Sequence, residues 1–319
     1  MDQRVREGYL SSRADEALGT RAAGPSRLAI WSMAARPKTL LLSLSPVLMG
    51  GFLAFRDSGT LDVAVFLMAL VGAIAIQIGT NLWNDALDGA RGHDRAGRLG
   101  PPRVTALGLA PAASVRRAAL VSFAIATLAG LGLAIVGGLP IIALGVVSML
   151  CGLAYSAGPR PISYTPFGEL FVIAFFGVAA VAGTYYLQTG AVSGDALAGG
   201  IVMGFPAAAV LLVNNHRDRA SDARAGRRTL AILVGERGAH RIYAGLLGLG
   251  VAGTLSLVWP HCLLGLVAFV PSIGLASLLA SRIFHVPVST ELNKYLAGTG
   301  LVQFLMVISV ALATLICNH

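Results

Sequence analysis

The chain has 319 residues, 55% of them hydrophobic and only 12% charged, with a mean hydropathy of +0.74. A soluble domain carries about 25% charged residues, so the composition excludes an ordinary water-soluble globule and points to a polytopic membrane protein. The formal net charge of +9 is read as a topology signal and requires no nucleic-acid partner.

In chain order, residues 1–27 are polar and too weakly apolar for a signal peptide. A flexible cytoplasmic arm is expected over 1–34, ahead of a transmembrane domain at 35–319. Nine apolar stretches near membrane-spanning length follow, at about 39–55, 61–83, 114–136, 138–157, 168–188, 195–214, 241–259, 261–280 and 295–316. The expected fold is therefore all-α: a polytopic membrane bundle of about nine transmembrane helices with a central, cytoplasm-facing cavity. With the N-terminus in the cytoplasm, 23 of the 24 basic residues fall on that side, leaving only Arg56 outside. Such a bias is the positive-inside rule and orients the bundle. Cys151, Cys262 and Cys317 lack metal-ligand spacing and read as packing residues, with neither disulfide nor zinc suggested. Small residues in AGLGLAIVGG (129–138) and AGLLGLGVAG (244–253) permit close helix approach.

Two polar clusters interrupt this pattern, each closing an even-numbered span on the same face. NLWNDALDGARGHD (81–94) brings Asn81, Asn84, Asp85 and Asp88 to one helical face. VNNHRDRASDARAGRRT (213–229) sets Asn215, Asp218 and Asp222 at i, i+3, i+7. Asp85 and Asp218 are 133 positions apart, which suggests two helical halves with a site between them. Ionisable groups at membrane depth cost about 2.5–3.5 kcal/mol each on insertion scales, which makes them functional candidates. Carboxylates without cysteine or histidine clusters suit Mg²⁺, a hard cation held by one or two carboxylates plus substrate phosphate oxygens. Arginine, which makes up 22 of the 24 basic residues, offers a planar fork to the phosphates. Arg91 and Arg228 are among the arginines close in sequence to the clusters. The implied ligand is an Mg²⁺–diphosphate whose other end is lipid-soluble. His93 and His216 sit inside the clusters without a second ligand at metal spacing and read as local hydrogen-bonding or solvated residues.

With these motifs the chain resembles the UbiA superfamily of intramembrane aromatic prenyltransferases, marked by Asn84-Asp85-Ala-Leu-Asp88 after the second helix and Asp218-Arg-Ala-Ser-Asp222 after the sixth. ARPKTL (35–40), GPPRVTALGLA (100–110), GTYYLQ (183–188) and the Gly226–Thr229 tail are similar to the branch that prenylates 1,4-dihydroxy-2-naphthoate. Ala86, where that branch often has tyrosine, and Leu41, where it often has proline, depart from its pattern.

The resemblance implies Asp85 and Asp88 on one Mg²⁺ and Asp218 and Asp222 on a second. It implies Asn81, Asn84 and Asn215 orienting carboxylates or contacting phosphate. Asp94 would support a metal or handle the acceptor. Arg36 and Lys38 would meet the diphosphate or the acceptor carboxylate, Arg160 would close over the diphosphate, and Glu169 would serve the pocket. The implied partners are a polyprenyl diphosphate, an aromatic acceptor (dihydroxynaphthoate) and the lipid bilayer, with no obligate protein partner evident. Prenylation of 4-hydroxybenzoate stays open as the alternative within the superfamily. CDP-alcohol phosphotransferases need two residues between Gly and Ala-Arg, and Asp88-Gly89-Ala90-Arg91 has none. A transporter would place its charges at mid-span, whereas these collect at span ends.

Overall fold

The computed structural model describes residues 25–90, 99–156, 161–258 and 264–317, and among them every regular element is a helix. Ser26 caps the first, α1 (Arg27–Ala35), its Oγ accepting from the Ala29 amide at 3.2 Å. The arm expected over 1–34 is therefore helical from Arg27 onward. Pro37 disfavours the α region for the residue before it, and Arg36 leaves the helix at φ 55°, ψ 66°. This left-handed bend feeds a 3₁₀ turn, Pro37–Thr39, and a 51° change of direction into α2 (Leu41–Ser58).

The apolar stretches form the remaining long elements. They are α3 (Val63–Ala90), α4 (Ala112–Ser156), α5 (Gly168–Thr189), α6 (Gly194–Arg217), α8 (Leu230–Ser256) and α10 (Leu292–Cys317). Between them lie the short α7 (Arg219–Arg224) and α9 (Val270–Arg282), which a 3₁₀ stretch, Leu264–Phe269, precedes. Among the described residues six segments are long and apolar enough to cross a membrane (Val63–Leu87, Ala112–Cys151, Gly168–Thr189, Gly194–Arg217, Leu264–His285 and Leu292–Cys317), or up to seven with the bent α1–α2 pair. The nine expected spans differ for two physical reasons. Residues 112–151 form one unbroken apolar stretch, bent inside α4 at Gly138 (φ 60°, ψ −151°). The first turns of α8 carry Glu236, Arg237, His240 and Arg241, which interrupt its apolar run.

α6 is the central element: 72% of its apolar stretch is buried, against 11% for that of the peripheral α4. Met203 of α6, Met49 of α2, Val181 of α5, Leu247 of α8 and Met306 of α10 meet in one fully buried cluster. Polar ties cross the same core. Gln303 Nε2 donates to the Met203 carbonyl at 2.7 Å, and the Tyr243 and Thr299 hydroxyls bond at 2.7 Å. The outward face of α4 (Leu128, Ile135, Leu139) is apolar and exposed, as hydrocarbon requires.

One close backbone approach lies outside the small-residue stretches expected from the sequence. A Cβ on Gly177, in the π turn Ala174–Ala179 of α5, would meet the Gly200 carbonyl and the Gly204 backbone, and one on Gly204 would lie 2.7 Å from Ile173 Cα. Backbone approaches of this kind hold helices together in lipid, where no hydrophobic drive acts between them. In the expected small-residue stretches Gly132 abuts Met68, Gly250 abuts Met306 and Pro206, and Gly253 abuts Val202 on neighbouring helices, whereas Gly130, Gly245 and Gly248 face open space.

At the end away from the acidic clusters, Arg56 (the basic residue outside the positive-inside pattern) pairs with Asp57 at 2.7 Å and Asp195 at 2.6 Å. Two carboxylates thus offset the Arg56 charge. Tyr185, from the GTYYLQ string, is buried and donates to Asp57 Oδ2 at 2.9 Å. Cys317 is disulfide-bonded, a correction to the packing-thiol expectation; its partner lies outside the described residues, and Cys151 is free. Sequence spacing missed the bond because tertiary structure, not spacing, brings disulfide partners together.

Candidate functional site

The end of α3 forms one wall. Asn81, nearly buried, donates from Nδ2 to the Ala35 carbonyl at 2.9 Å and to Thr39 Oγ1 at 3.0 Å. It therefore holds the turn that carries Arg36, whose left-handed backbone is a strain that neighbours must stabilise. Gln77, one turn earlier, accepts from Ser43 Oγ at 2.9 Å and extends the latch to α2. Lys38 lies exposed in that turn.

Asp85 is 1% exposed. Its Oδ2 accepts from the Val104 amide at 3.0 Å, and its Oδ1 from the Thr105 amide and hydroxyl at 3.1 and 2.6 Å. The carboxylate anchors the 99–110 loop onto α3. Ala86 is buried with Ala34 and Val104 beneath α1 and that loop, so the position that departs from tyrosine serves packing here.

The anchored loop carries Arg103, a residue the sequence reading counted only as a topology charge. Its Nη1 donates to the Asn84 carbonyl at 3.2 Å. Burial and then the neighbouring Arg36 push its pKa down to about 10, while Asp85 and Asp218 oppose the shift. Arg103 thus stands within electrostatic range of both acidic clusters and of Arg36. Asn84 and Asp88 both lie on α3. Arg91 and Asp94, and on the other side Arg160, fall outside the described residues.

The second wall departs from the single helical face expected for Asn215, Asp218 and Asp222. α6 ends at Arg217, Asp218 is its cap at φ −92°, ψ 4°, and Asp222 sits on the separate helix α7. The break follows from Arg217, only 3% exposed, which claims Asp218 for itself. Its Nε and Nη2 donate to the two Asp218 oxygens at 3.0 and 2.7 Å, its Nη2 also to Asn214 Oδ1 at 2.6 Å, and its Nη1 to Asn293 Oδ1 at 2.6 Å. Asn293 in turn donates to the Leu99 carbonyl at 2.9 Å. Hydrogen bonds and the 99–105 backbone therefore join the two acidic clusters, with α10 supplying the bridge.

Asp222 meets Arg227 at 3.2 Å, and Arg227 stacks over the Tyr164 ring at 4.7 Å. Burial raises the Asp222 pKa; Asp218 adds to the rise, while Arg227 and Arg217 oppose it. The exposed Arg228 ties its amide to the Tyr164 carbonyl at 2.8 Å. Glu169, at the start of α5 and 5% exposed, accepts from Asn215 Nδ2 at 3.1 Å. Tyr155 lies within electrostatic range of Glu169, Asp222 and Arg227. The sequence signal for Arg217 was its adjacency to Asp218; Arg103 had none beyond its place in the GPPRVTALGLA string.

The anchoring by Asp85 yields a direct expectation. In Asp85→Asn the new NH₂ would face an amide N–H of the loop, leaving a buried donor unsatisfied at about 1–3 kcal/mol. A lower thermal midpoint in detergent is expected, and a midpoint equal to that of the wild type would refute the anchoring role.

The pattern of the UbiA prenyltransferase family matches residues 43–296 of this chain. A 1,4-dihydroxy-2-naphthoate octaprenyltransferase of Mycobacterium tuberculosis is 39% identical over 286 residues, 88% of this chain and 95% of that protein. Its namesake in Haemophilus influenzae is 30% identical over 91% of this chain and 97% of that one. Among solved structures, an apo UbiA homolog from Aeropyrum pernix aligns with TM-score 0.64 at 13% identity, covering 85% of this chain and 96% of its own. A UbiA homolog from Archaeoglobus fulgidus bound to GPP and Mg²⁺ aligns with TM-score 0.61 at 14% identity over 88% of this chain and 97% of its own, a likeness of fold. With two polar walls joined at one end of an all-helical bundle and a family pattern over most of its length, the chain belongs to the UbiA prenyltransferase family.

Proposed function

We propose that this chain transfers a polyprenyl group from a polyprenyl diphosphate to 1,4-dihydroxy-2-naphthoate, releasing diphosphate and carbon dioxide. The relatives' names support the acceptor. The observation that carries the site is the connection from Asp85 through the 99–105 loop to Asn293, Arg217 and Asp218. It joins two oxygen-rich clusters with Arg103 in range of both.

The donors fit magnesium: Asn84, Asp88, Asp218 and Asp222 are all oxygen ligands, and Asp218 keeps 26% side-chain exposure beside Asp222. We assign two ions, Asn84 and Asp88 holding one and Asp218 and Asp222 the other. Asp85, expected from the sequence among the ligands, is assigned to positioning because it is 1% exposed and its oxygens are taken by the 99–110 loop, whereas Asp218 keeps an open side beside its contact with Arg217. Magnesium would neutralise the diphosphate and so weaken the allylic C–O bond.

The chain's own residues do the rest. Arg36 and Arg103, aided by Lys38, Arg91, Arg160 and Arg228, set positive charge where the leaving group's negative charge develops. Apolar side chains between the helices exclude water, which would otherwise quench the reacting allylic carbon. Glu169 and Asn215 shape the mouth, and Asp94 polarises an acceptor hydroxyl. The acceptor ring attacks through its carboxylate-bearing carbon; the new C–C bond forms, and the carboxylate leaves as carbon dioxide.

We infer nine crossings. A straight 40-residue helix would run about 60 Å, twice the hydrocarbon thickness, which supports two passes divided at Gly138. We place the N-terminus and the site on the cytoplasmic face of a bacterial-type plasma membrane. The basic-residue bias supports this, as does the disulfide-bonded Cys317 at the far end of α10, since disulfides persist in oxidising compartments.

The test offers purified protein and Mg²⁺ with either dihydroxynaphthoate or 4-hydroxybenzoate, scoring prenylated product and released carbon dioxide. The naphthoate is expected to be the preferred acceptor. A preference for hydroxybenzoate would overturn the acceptor assignment, and no diphosphate release with any aromatic acceptor would overturn the transferase.

A further inference from the structure

His216 occupies the last turn of α6, on a side of that helix that the aspartate site leaves unused. It is 1% exposed, and neither ring nitrogen has a hydrogen-bond partner. Imidazole always carries at least one N–H donor, and a buried polar group left unsatisfied costs about 1–3 kcal/mol. Facing it edge to face, with ring centroids 4.9 Å apart, is His240 of α8, 3% exposed and unpartnered at Nε2. Glu236 lies one helical turn before His240, after Gly235 (φ 67°, ψ −174°) has broken α8 and restarted it. One ligand atom from each of the three side chains lies within 4.8 Å of the others. The sequence left His216 without a partner because its counterpart is 24 residues away and becomes a neighbour only when α6 and α8 pack.

We propose that His216, Glu236 and His240 form a second metal site, for a zinc-class divalent cation, separate from the magnesium-type aspartate site. Two imidazoles and a carboxylate are a three-ligand zinc set with a fourth position open, whereas magnesium prefers oxygen donors alone. Donor atoms around a tetrahedral zinc stand roughly 3.3 Å apart, so the site must contract on loading. Glu236, exposed and flexible, is the ligand best able to move. Arg219 lies 3.7 Å from Glu236 Oε2, and a carboxylate has a second oxygen to offer. Arg237 and Arg241 line the cleft beside His240 and Glu236, where they favour water or a small anion at the open position. The ion would fasten the start of α8 to the end of α6. That closes the 217–235 segment carrying Asp218, Asp222 and Arg227.

The test needs no turnover. Purified protein is stripped with chelator, titrated with Co²⁺ and followed by its d–d absorption. Displacement by Zn²⁺, bound zinc and the thermal midpoint are measured on the same samples. An intense four-coordinate spectrum, about one Zn²⁺ per chain and a zinc-dependent rise in midpoint are expected. Glu236→Gln, a surface change that does not disturb the buried pair, should weaken zinc by more than the 10–100-fold that outer partners typically contribute and abolish the rise. Asp218→Asn should retain both, which separates this site from the aspartates. A wild-type chain without the spectrum, or a Glu236→Gln chain that binds as tightly as wild type, would overturn the site.

Discussion

Asp218→Asn is expected to lower turnover by on the order of 10²–10³-fold, the loss typical when one preorganised electrostatic group is removed from a reacting centre. The substitution keeps size and one acceptor oxygen, so Arg217 retains part of its bidentate contact and its bonds to Asn214 and Asn293. The new NH₂ faces one Arg217 N–H, so a stability loss of about 1–3 kcal/mol accompanies the substitution, and turnover is compared per folded protein. Diphosphate release at saturating Mg²⁺ and prenyl diphosphate is the measurement. Near-normal release would remove Asp218 from the reaction and with it the two-ion reading of the second cluster.

Arg217→Ala should show the opposite balance, with stability lost first. The guanidinium is almost fully enclosed, and its loss leaves Asp218, Asn214 and Asn293 without their shared donor. Breaking a buried pair by removing one partner typically costs about 3–5 kcal/mol. Arg217→Lys should recover only part, because an ammonium cannot span both Asp218 oxygens in the planar geometry. Denaturant or thermal unfolding in detergent would read this. An Arg217→Ala chain as stable as the wild type would show that α6, α10 and the 99–110 loop are held together without this residue.

The long helices were legible because lipid imposes a composition over roughly 20 residues. The expected stretches 168–188, 195–214 and 295–316 lie within α5, α6 and α10 to within a few residues of their observed ends. The acidic clusters were legible for a related reason, since charge at a span end stands out against so apolar a chain. What the spacing did not reveal was the job of each member. Asn81 and Asp85 share a helical face with Asn84 and Asp88, yet Asn81 latches the Arg36 turn and Asp85 the 99–110 loop. Asn215 and Asp222 stand at i and i+7 yet lie on different helices, because α6 ends at Arg217 and Asp218 caps it with its carboxylate held by Arg217. The close approach of Gly177 to Gly200 and Gly204 was invisible because a glycine's neighbour lies on another helix.

By itself the sequence determined that this chain is a helical membrane bundle, where its acidic clusters lie along it, and the family to which it belongs. Those features follow from local hydropathy and from motifs a few residues long. The tertiary structure alone decided which polar groups are anchors and which remain open. It brought Arg103 within range of both clusters, set Asn293 between Leu99 and Arg217, and turned His216 toward His240. Each of these depends on residues distant in sequence that meet only after the helices pack, when every buried donor and acceptor must find a partner where water is absent.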